Sequence, residues 1–399
     1  MPFNDKINNY SSKNLPFKSS TCFIVPFCME NETKINYFNK EFKFYDINSR
    51  VFYMNPDLKK HLTKSNDTIL NVFEKNSVEK NNQNTFYFYY NDGKILRTNE
   101  SKNSNFVEFF FNTERLYIFN DSVNFAFFEL IVPAGTNLEN LLSLNKFLKN
   151  NANIFIDRIN DYVGEKINVL SEEPFLFNYT YCDTNEYNRD NLYYLASGND
   201  PSYKTDIKTS FKEYVQSQNI MQGVVRNGIS RIVNENNNED EFHYNINNPR
   251  GMYNSVINNY VFVYVIALHQ YFGLRVMNYK ILETVNKDNK SKFNKKKKEY
   301  KKFLKIKSQA ELFYLQNVIV DISPILHINR TYNYIRDVFH LNEIIDDFYR
   351  DLELCKSILD ERNTSRVEKL NKSAKFALFI IIVTLILTLL QTIFSYLAL

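Results

Sequence analysis

The stretch FALFIIIVTLILTLLQTIFSYLAL, residues 376–399, decides how this chain is organised. It is 24 residues long and carries no charged side chain. At 1.5 Å per residue, a helix of this length spans about 36 Å, enough to cross a hydrocarbon core of about 30 Å. The stretch therefore predicts one transmembrane helix. The competing interpretation, a buried core helix, would need protein on every side of it.

The residues just before this stretch predict its orientation. Five of them are basic: Arg362, Arg366, Lys369, Lys372 and Lys375. Because positive flanks stay on the cytoplasmic side, we expect a single-pass membrane protein whose N-terminal body is cytoplasmic and meets membrane lipid. Residues 1–20 are polar and lack the apolar run of a signal peptide, which agrees with that orientation.

The predicted transmembrane helix is polar along one face. At about 100° per residue, its polar side chains fall within an arc of about 100°. They are Thr384, Thr388, Gln391, Thr392 and Ser395. Three interpretations are open: the hydroxyls bond back to their own helix, the face packs against other helices, or it lines a wet pore.

A heptad pattern precedes the transmembrane stretch, and we call it the heptad seam. Its first part is Val338, Leu341, Ile345, Phe348, Leu352, Cys355 and Leu359; after a stutter its second part is Val367, Leu370, Ala374, Ala377 and Ile381. Neither Pro nor Gly occurs between residues 331 and 399, so one helix from about 335 to 399 is predicted. The seam could join copies in a homo-oligomer or close a helical hairpin within one chain.

Residues 287–307 form a lysine-rich run. They hold eleven lysines against Asp288 and Glu299, whereas the whole chain carries a net charge of only +4. Its centre is Lys295, Lys296, Lys297 and Lys298. A solvated hairpin tip, a surface for anionic lipid headgroups and a nucleotide or RNA contact are the open interpretations. Because the rest of the chain is net acidic, nucleic acid is not predicted as a general partner.

The N-terminal half predicts strands with interspersed helices. The predicted strands are 21–28, 85–90, 106–111, 115–119, 123–132, 175–181, 192–195 and 224–232. Thr136 is the predicted cap of a helix that runs to about Leu148. Further helices are predicted at 254–285 and 301–322. The fold class is therefore α+β: a mixed α/β cytoplasmic domain, then long stalk helices and one C-terminal transmembrane helix.

These features divide the chain into four predicted segments. They are a polar tail at 1–19, the α/β domain at 20–250, a helical stalk at 251–375 and the transmembrane helix at 376–399. The polar stretch 234–249 is the predicted boundary between the α/β and helical parts.

Motifs of catalysis and metal binding are absent from the sequence. No glycine-rich phosphate loop, zinc-protease motif or nucleophile elbow occurs, and no C-x-x-C joins any of the four cysteines. The acidic run 239–241 lies near His243 but lacks the alternating ligands of a calcium loop. We therefore predict no catalytic residue, no metal ligand and no cofactor, and thus a protein that is not an enzyme.

The order of these segments resembles the CorA-like divalent-cation transporter superfamily. In that family a funnel of stalk helices continues into a pore-lining membrane helix, and five subunits surround the pore. The resemblance is one of layout. The family's Gly-Met-Asn signature does not follow residues 376–399, and its second membrane helix has no counterpart here. By this resemblance the polar face at 384–395 would line a pore, and a divalent cation would be the transported ion.

Two functions are therefore predicted as the main alternatives, and an enzyme with an unfamiliar site in the α/β body is a third, weaker one. The first is an oligomeric, CorA-like ion channel or transport protein gated by a cytoplasmic sensing domain with its own small ligand. The second is a tail-anchored adaptor or effector, for example in stress or phage defence, that presents an α/β binding module at the membrane without transporting anything.

Overall fold

The structure is a computed structural model. It describes residues 18–29, 42–63, 69–76, 85–89, 93–97, 106–120, 123–164, 166–199, 201–202, 211–234, 248, 251–290, 293–319 and 321–397. Side chains are described throughout these ranges except at 286–290, 293–299, 363, 366, 389 and 392–397. Residues 1–17 of the predicted polar tail and most of the predicted boundary at 234–249 lie outside the described residues, whereas Ser19, predicted in the tail, begins β1.

Twelve strands run through the described part of the N-terminal half. They are β1 Ser19–Cys28, β2 Lys43–Phe44, β3 Leu70–Asn76, β4 Thr85–Tyr89, β5 Lys94–Leu96, β6 Phe106–Phe119, β7 Val123–Val132, β8 Asn168–Val169, β9 Phe175–Cys182, β10 Lys212–Ser217, β11 Ile220–Val225 and β12 Gly228–Asn234. All belong to one sheet, whose main order is β10-β11-β12-β9-β1-β7-β6-β3-β2. The pair of β12 with β9 is parallel, and the other described pairs are antiparallel.

The described helices flank the sheet and fill the C-terminal half. They are α1 Ile47–Arg50, α2 Pro56–Leu62, α3 Leu138–Asn150, α4 Asn153–Val163, α5 Arg189–Ser197, α6 Met252–Ser255, α7 Val261–Lys290, α8 Phe293–Asn317, α9 Leu326–Val338 and α10 Leu341–Leu397. A π-helical turn, Val256–Tyr260, joins α6 to α7. The mixed α/β class, with its sheet in the N-terminal part and helices in the C-terminal part, is confirmed.

Successive side chains of the central strands point to opposite faces of the sheet, and both faces are buried. One face packs its apolar side chains against α3, α4 and α5, with Phe23 of β1 stacked on Phe155 of α4 at 4.9 Å between ring centroids. The other face meets the π turn and the first half of α7, where Phe119 stacks on His269 at 3.6 Å. Since both faces are covered, polar side chains in the middle of these strands are buried and need partners.

The chain divides into two compact units. Unit 1 comprises residues 1–273 and 313–344 and contains the sheet. Unit 2 comprises residues 274–312 and 345–399 and is helical. The predicted split at residue 250 therefore differs from this division, because the first part of α7 packs on the sheet.

Unit 2 contains a bundle of the second part of α7, most of α8 and the part of α10 that begins at Ile345. Its buried side chains include Ile281 of α7 and Phe303 of α8. Polar contacts join the same helices: Tyr300 Oη donates to Asp360 Oδ1 at 2.5 Å, and Lys307 Nζ lies 3.0 Å from Glu353 Oε1. Of the lysine-rich run, Phe303 is thus buried inside the bundle and Tyr300 is partly buried against α10.

Several predicted strand bounds were wrong because pairing partners decide where a strand ends. The predicted strands 106–111 and 115–119 are one strand, β6, with a register shift between Phe111 and Glu114. Its neighbour β3 pairs with it through Thr113, so the strand continues. The predicted strand 224–232 is instead the hairpin of β11 and β12, which turns between Val225 and Gly228.

One further strand prediction and three helix predictions also need correction. Residues 192–195 lie in α5, which Asn188 caps at its start and Gly198, at φ 65°, ends. Asn137, one residue after the predicted Thr136, caps α3. The predicted single helix from 335 to 399 is interrupted between α9 and α10, where His340 adopts φ 52°. The helix predicted at 301–322 is α8, which ends at Asn317.

Candidate functional site

The polar face of the C-terminal helix is the first predicted site, and α10 carries all of it. Thr384 Oγ1 donates to the carbonyl of Ile380 at 2.8 Å, and Thr388 Oγ1 donates to the carbonyl of Thr384. Gln391 is exposed, while the side chains of Thr392 and Ser395 lie outside the described residues. Both threonine hydroxyls therefore donate to carbonyls of their own helix, as the first of the three interpretations expects.

The two predicted basic groups lie on helices. On α10, Lys369, Lys372 and Lys375 are exposed and Arg362 is half-buried, whereas the side chain of Arg366 is not described. Lys295, Lys296, Lys297 and Lys298 lie in the first two turns of α8, and their side chains also fall outside the described residues.

The heptad seam divides into a buried part and an exposed part. Within unit 2, its first part is buried against the other helices of the bundle, at Ile345, Phe348, Leu352, Cys355 and Leu359. Its second part is exposed, as at Val367 and Leu370. The first part therefore favours the hairpin-like interpretation, in which one chain covers its own seam.

Within the described ranges, two helical segments are long and apolar enough to cross a membrane, and they differ in burial. Of the apolar window in Met252–Val285, 89% is buried inside the protein, whereas 0% of that in Leu341–Thr388 is buried. The former comprises α6, the π turn and most of α7.

Two arginines buried between the sheet and the helices, on different strands, are two further candidate sites. Arg115 of β6 is 4% exposed and Arg231 of β12 is 0% exposed. Arginine stays charged at any pH at which proteins fold, so each buried guanidinium demands compensation. The two arginines obtain it in different ways.

Arg115 is compensated by a carboxylate and by the π turn. Its Nε lies 2.7 Å from Oε2 of Glu74, which is 7% exposed. Its Nη1 donates to the carbonyl of Ile257 at 2.9 Å, and its Nη2 to Oδ1 of Asn258 at 2.8 Å. A π turn releases backbone groups from the regular helical ladder, and here one of its carbonyls accepts from the arginine.

Arg231 has only neutral partners within the described part of the chain. Its Nη1 donates to Oε1 of Gln222 at 2.7 Å, and its Nη2 to Oε1 of Gln216. Its guanidinium carbon lies 4.6 Å from the ring centroid of Tyr260. Its Nε has no hydrogen-bond partner among the described residues.

The groups around Arg231 cannot supply a negative charge near neutral pH. Burial raises the pKa of Tyr260 to about 12, against the smaller lowering effect of Arg231, so its phenol stays neutral. Tyr260 Oη lies 2.5 Å from Nδ1 of His327. Burial, with a further contribution from Arg231, lowers the pKa of His327 to about 4, so this imidazole is neutral as well.

A third polar cluster surrounds the buried carboxylate of Glu129 on the same face of the sheet. Its oxygens accept from Ser20 Oγ at 2.8 Å, Asn112 Nδ2 at 2.9 Å and Tyr253 Oη at 2.5 Å. Cys22 is the register partner of Glu129. Burial, and then the charge of Glu129, raises the pKa of the Cys22 thiol, which makes it a poor nucleophile.

Neither arginine was predicted as a site residue from the sequence. The sequence does contain a signal of them, because each is the single arginine of its strand. Arg115 directly precedes the apolar residues 116–119, and Arg231 lies between Ser230 and Ile232. Judging that signal requires knowing that both faces of the sheet are covered. No group of His, Cys, Asp or Glu among the described residues is arranged to hold a metal ion.

Comparison of the chain with protein-family models, with curated proteins and with solved structures found no match in any of the three. The fold and sites define a mixed α/β protein with a large, doubly covered sheet and C-terminal helices. Two of its helices are candidate membrane spans.

Proposed function

We propose that this chain is a tail-anchored, non-enzymatic binding protein that crosses the membrane once, at residues 376–399, and holds its α/β body at the cytoplasmic face as an adaptor or effector. The observation that carries the proposal is the exposure of residues 376–388, the part of this stretch whose side chains are described without a gap: Phe376 is 66% and Leu387 60% exposed. So long an apolar surface is far larger than a soluble protein tolerates in water, and lipid would cover it.

The second apolar helix supports a single crossing. Tyr264 and Leu268 of α7 are fully buried beneath the sheet, so that part of the helix already has a protein environment. An apolar segment that fills a core has no need of lipid. The basic flank on α10 supports the cytoplasmic location of the body.

Removal of the anchor tests this proposal. Deleting residues 376–399 should move the chain from the membrane fraction to the soluble fraction, and replacing them with a polyleucine helix should restore membrane binding. Carbonate-washed membranes and protease protection of the N-terminal body would report location and topology. A full-length chain that is soluble without detergent would overturn the proposal.

Ion conduction by a CorA-like oligomer is the second candidate. Two observations favour it: the polar face from Thr384 to Ser395, and the exposed second part of the heptad seam, which a neighbouring copy could cover. In this candidate the cytoplasmic unit would sense a ligand and gate the pore.

Conductance separates the two candidates. Purified chain in planar bilayers should be silent if it is an anchor and should conduct if it is a channel. Gln391→Leu should alter any conductance, whereas Leu390→Ile, on the neighbouring position, is the matched control. A protein that is monomeric in detergent and electrically silent would exclude the second candidate and leave the first intact.

A further inference from the structure

Among the described residues, the buried charge of Arg231 has no counter-ion. A buried guanidinium normally faces a carboxylate, as Arg115 faces Glu74 at 2.7 Å. Around Arg231, the described residues offer amide oxygens and an aromatic ring instead. Because leaving a buried charge without a counter-ion is strongly unfavourable, a negatively charged ligand would stabilise this arrangement of the described residues.

We propose that Arg231 is the anchor of a binding site for an oxyanion, the phosphate or carboxylate group of a small ligand. The side chains beside the guanidinium are polar and hydrogen-bonded to one another, and Arg231 Nε is a buried donor with no partner among the described residues. Beside the guanidinium lie the Gln222 amide, whose Nε2 donates to Thr331 Oγ1 at 2.6 Å, and the Tyr214 hydroxyl, 3.0 Å from the same oxygen. These side chains come from β10, β11, β12 and α9, so the fold assembles the site.

The edge of the sheet supplies the entry. β10 is the last strand of the main sheet order, and its pairing with β11 shifts register between Val215 and Ser217. Gln216 is thus the unpaired residue of a bulge, a feature that re-aims a side chain. Gln216 is half-buried, and its amide oxygen covers Nη2 of Arg231. An oxyanion that displaces this amide would reach the guanidinium directly.

Further positive potential lies along the same edge. Arg330 of α9 is exposed, and its guanidinium carbon lies 5.4 Å from the ring centroid of Tyr214. His327, in the first turn of α9, is neutral near pH 7 and therefore neither repels nor neutralises an anion. The positive end of the α9 dipole has the same sign as the two arginines.

The site is independent of the proposed membrane anchor. It would give the cytoplasmic body a small anionic ligand whether the C-terminal helix is an anchor or a pore. Bidentate contact with phosphate or carboxylate suits a planar guanidinium, which explains the choice of Arg over Lys at this position.

Binding of inorganic phosphate and of acetate to the full-length chain in non-ionic detergent tests the proposal. Calorimetric titrations would be run at constant ionic strength, with sodium chloride as the reference titrant. Saturable binding of either anion is expected, and the tighter one identifies the class of ligand. Failure of both to bind beyond chloride would overturn the proposal.

Two variants locate the binding. Arg231→Met should weaken the binding of the preferred anion at least tenfold, because a charge-assisted contact is lost. Gln216→Glu should weaken it at least as much, because the new carboxylate occupies the guanidinium, and should also raise the melting temperature of the ligand-free protein. This second variant stays informative if Arg231→Met does not fold.

A surface variant controls for general electrostatics. Lys212→Met removes an exposed charge from the same strand and should leave the affinity for the anion within about twofold of that of the wild type. Equal losses in Lys212→Met and Gln216→Glu would mean a diffuse charge effect, or an adventitious ion only. Wild-type affinity in Arg231→Met or in Gln216→Glu would equally overturn the proposal.

Discussion

Arg115 and Glu74 form a buried ion pair across two neighbouring strands, with 2.7 Å between Nε and Oε2 and side chains that are only 4% and 7% exposed. Arg50, whose Nη1 lies 2.9 Å from Oε1, gives the same carboxylate a second cation. The pair joins β3 and β6 and connects both, through Ile257, to the π turn.

Neutralising this pair on one side should destabilise the protein. Glu74→Gln leaves the Arg115 charge buried without its counter-ion, so we expect the free energy of unfolding to fall by about 3–5 kcal/mol. Urea denaturation in detergent would measure it. The double variant Glu74→Gln with Arg115→Met should recover part of the loss, and a single variant within about 0.5 kcal/mol of the wild type would contradict the expectation.

The close approach of α7 and α8 in unit 1 predicts that Gly273 tolerates no side chain. A Cβ at this position would lie 2.2 Å from Cζ of Phe313, whose ring is buried. Gly273→Ala should therefore lower the free energy of unfolding by about 1–3 kcal/mol through overpacking. Thermal denaturation measures the loss, and Gly273→Ala combined with Phe313→Leu should reverse much of it. A neutral Gly273→Ala would show that the helices separate freely.

The neutral His327 predicts acid sensitivity. Its pKa of about 4 in the folded protein lies below the ordinary value of 6.5, so the unfolded chain binds the proton more readily. The contribution of this group to stability is complete above pH 6.5 and is lost as the pH falls towards 4. Since His327 is only half-buried, the loss should be about 1–2 kcal/mol after solvent screening.

Comparison with His327→Asn isolates this effect. The Asn side chain can still accept a hydrogen bond from Tyr260 but does not titrate. Denaturation curves recorded between pH 4 and 7 should show a flatter dependence of stability on pH for the variant. Parallel curves for the two proteins would mean that His327 does not set the acid sensitivity.

The two parts of the heptad seam should respond differently to truncation. Leu352 is 1% exposed within unit 2, so Leu352→Ala should destabilise the helical bundle by about 2–5 kcal/mol. Leu370 is 50% exposed, and Leu370→Ala should stay within about 0.5 kcal/mol in a monomer. A large loss at Leu370, with a smaller particle in size-exclusion chromatography, would instead show that copies associate through the second part of the seam.

Local sequence patterns predicted several central strands of the sheet. Apolar, β-branched and aromatic runs predicted β1, β7 and β9 within a few residues, because these strands lie in the middle of a covered sheet. Predictions failed where pairing or capping decided the outcome. Asn188 and Gly198 make 189–197 a helix although residues 192–195 suit a strand, and His340 ends a helix that no proline interrupts.

By itself, the sequence determined the apolar stretch 376–399, its basic flank and its polar face, because these depend only on composition and helical period. Tertiary structure alone decided that the first part of the heptad seam is covered by its own chain. The tertiary structure also decided which partners the two buried arginines meet. Arg115 meets a carbonyl 142 positions away along the chain, whereas Arg231 is brought beneath α9 with no carboxylate among its described partners. Such pairings join distant segments, so only the folded chain shows which buried charge is balanced and which is left for a ligand.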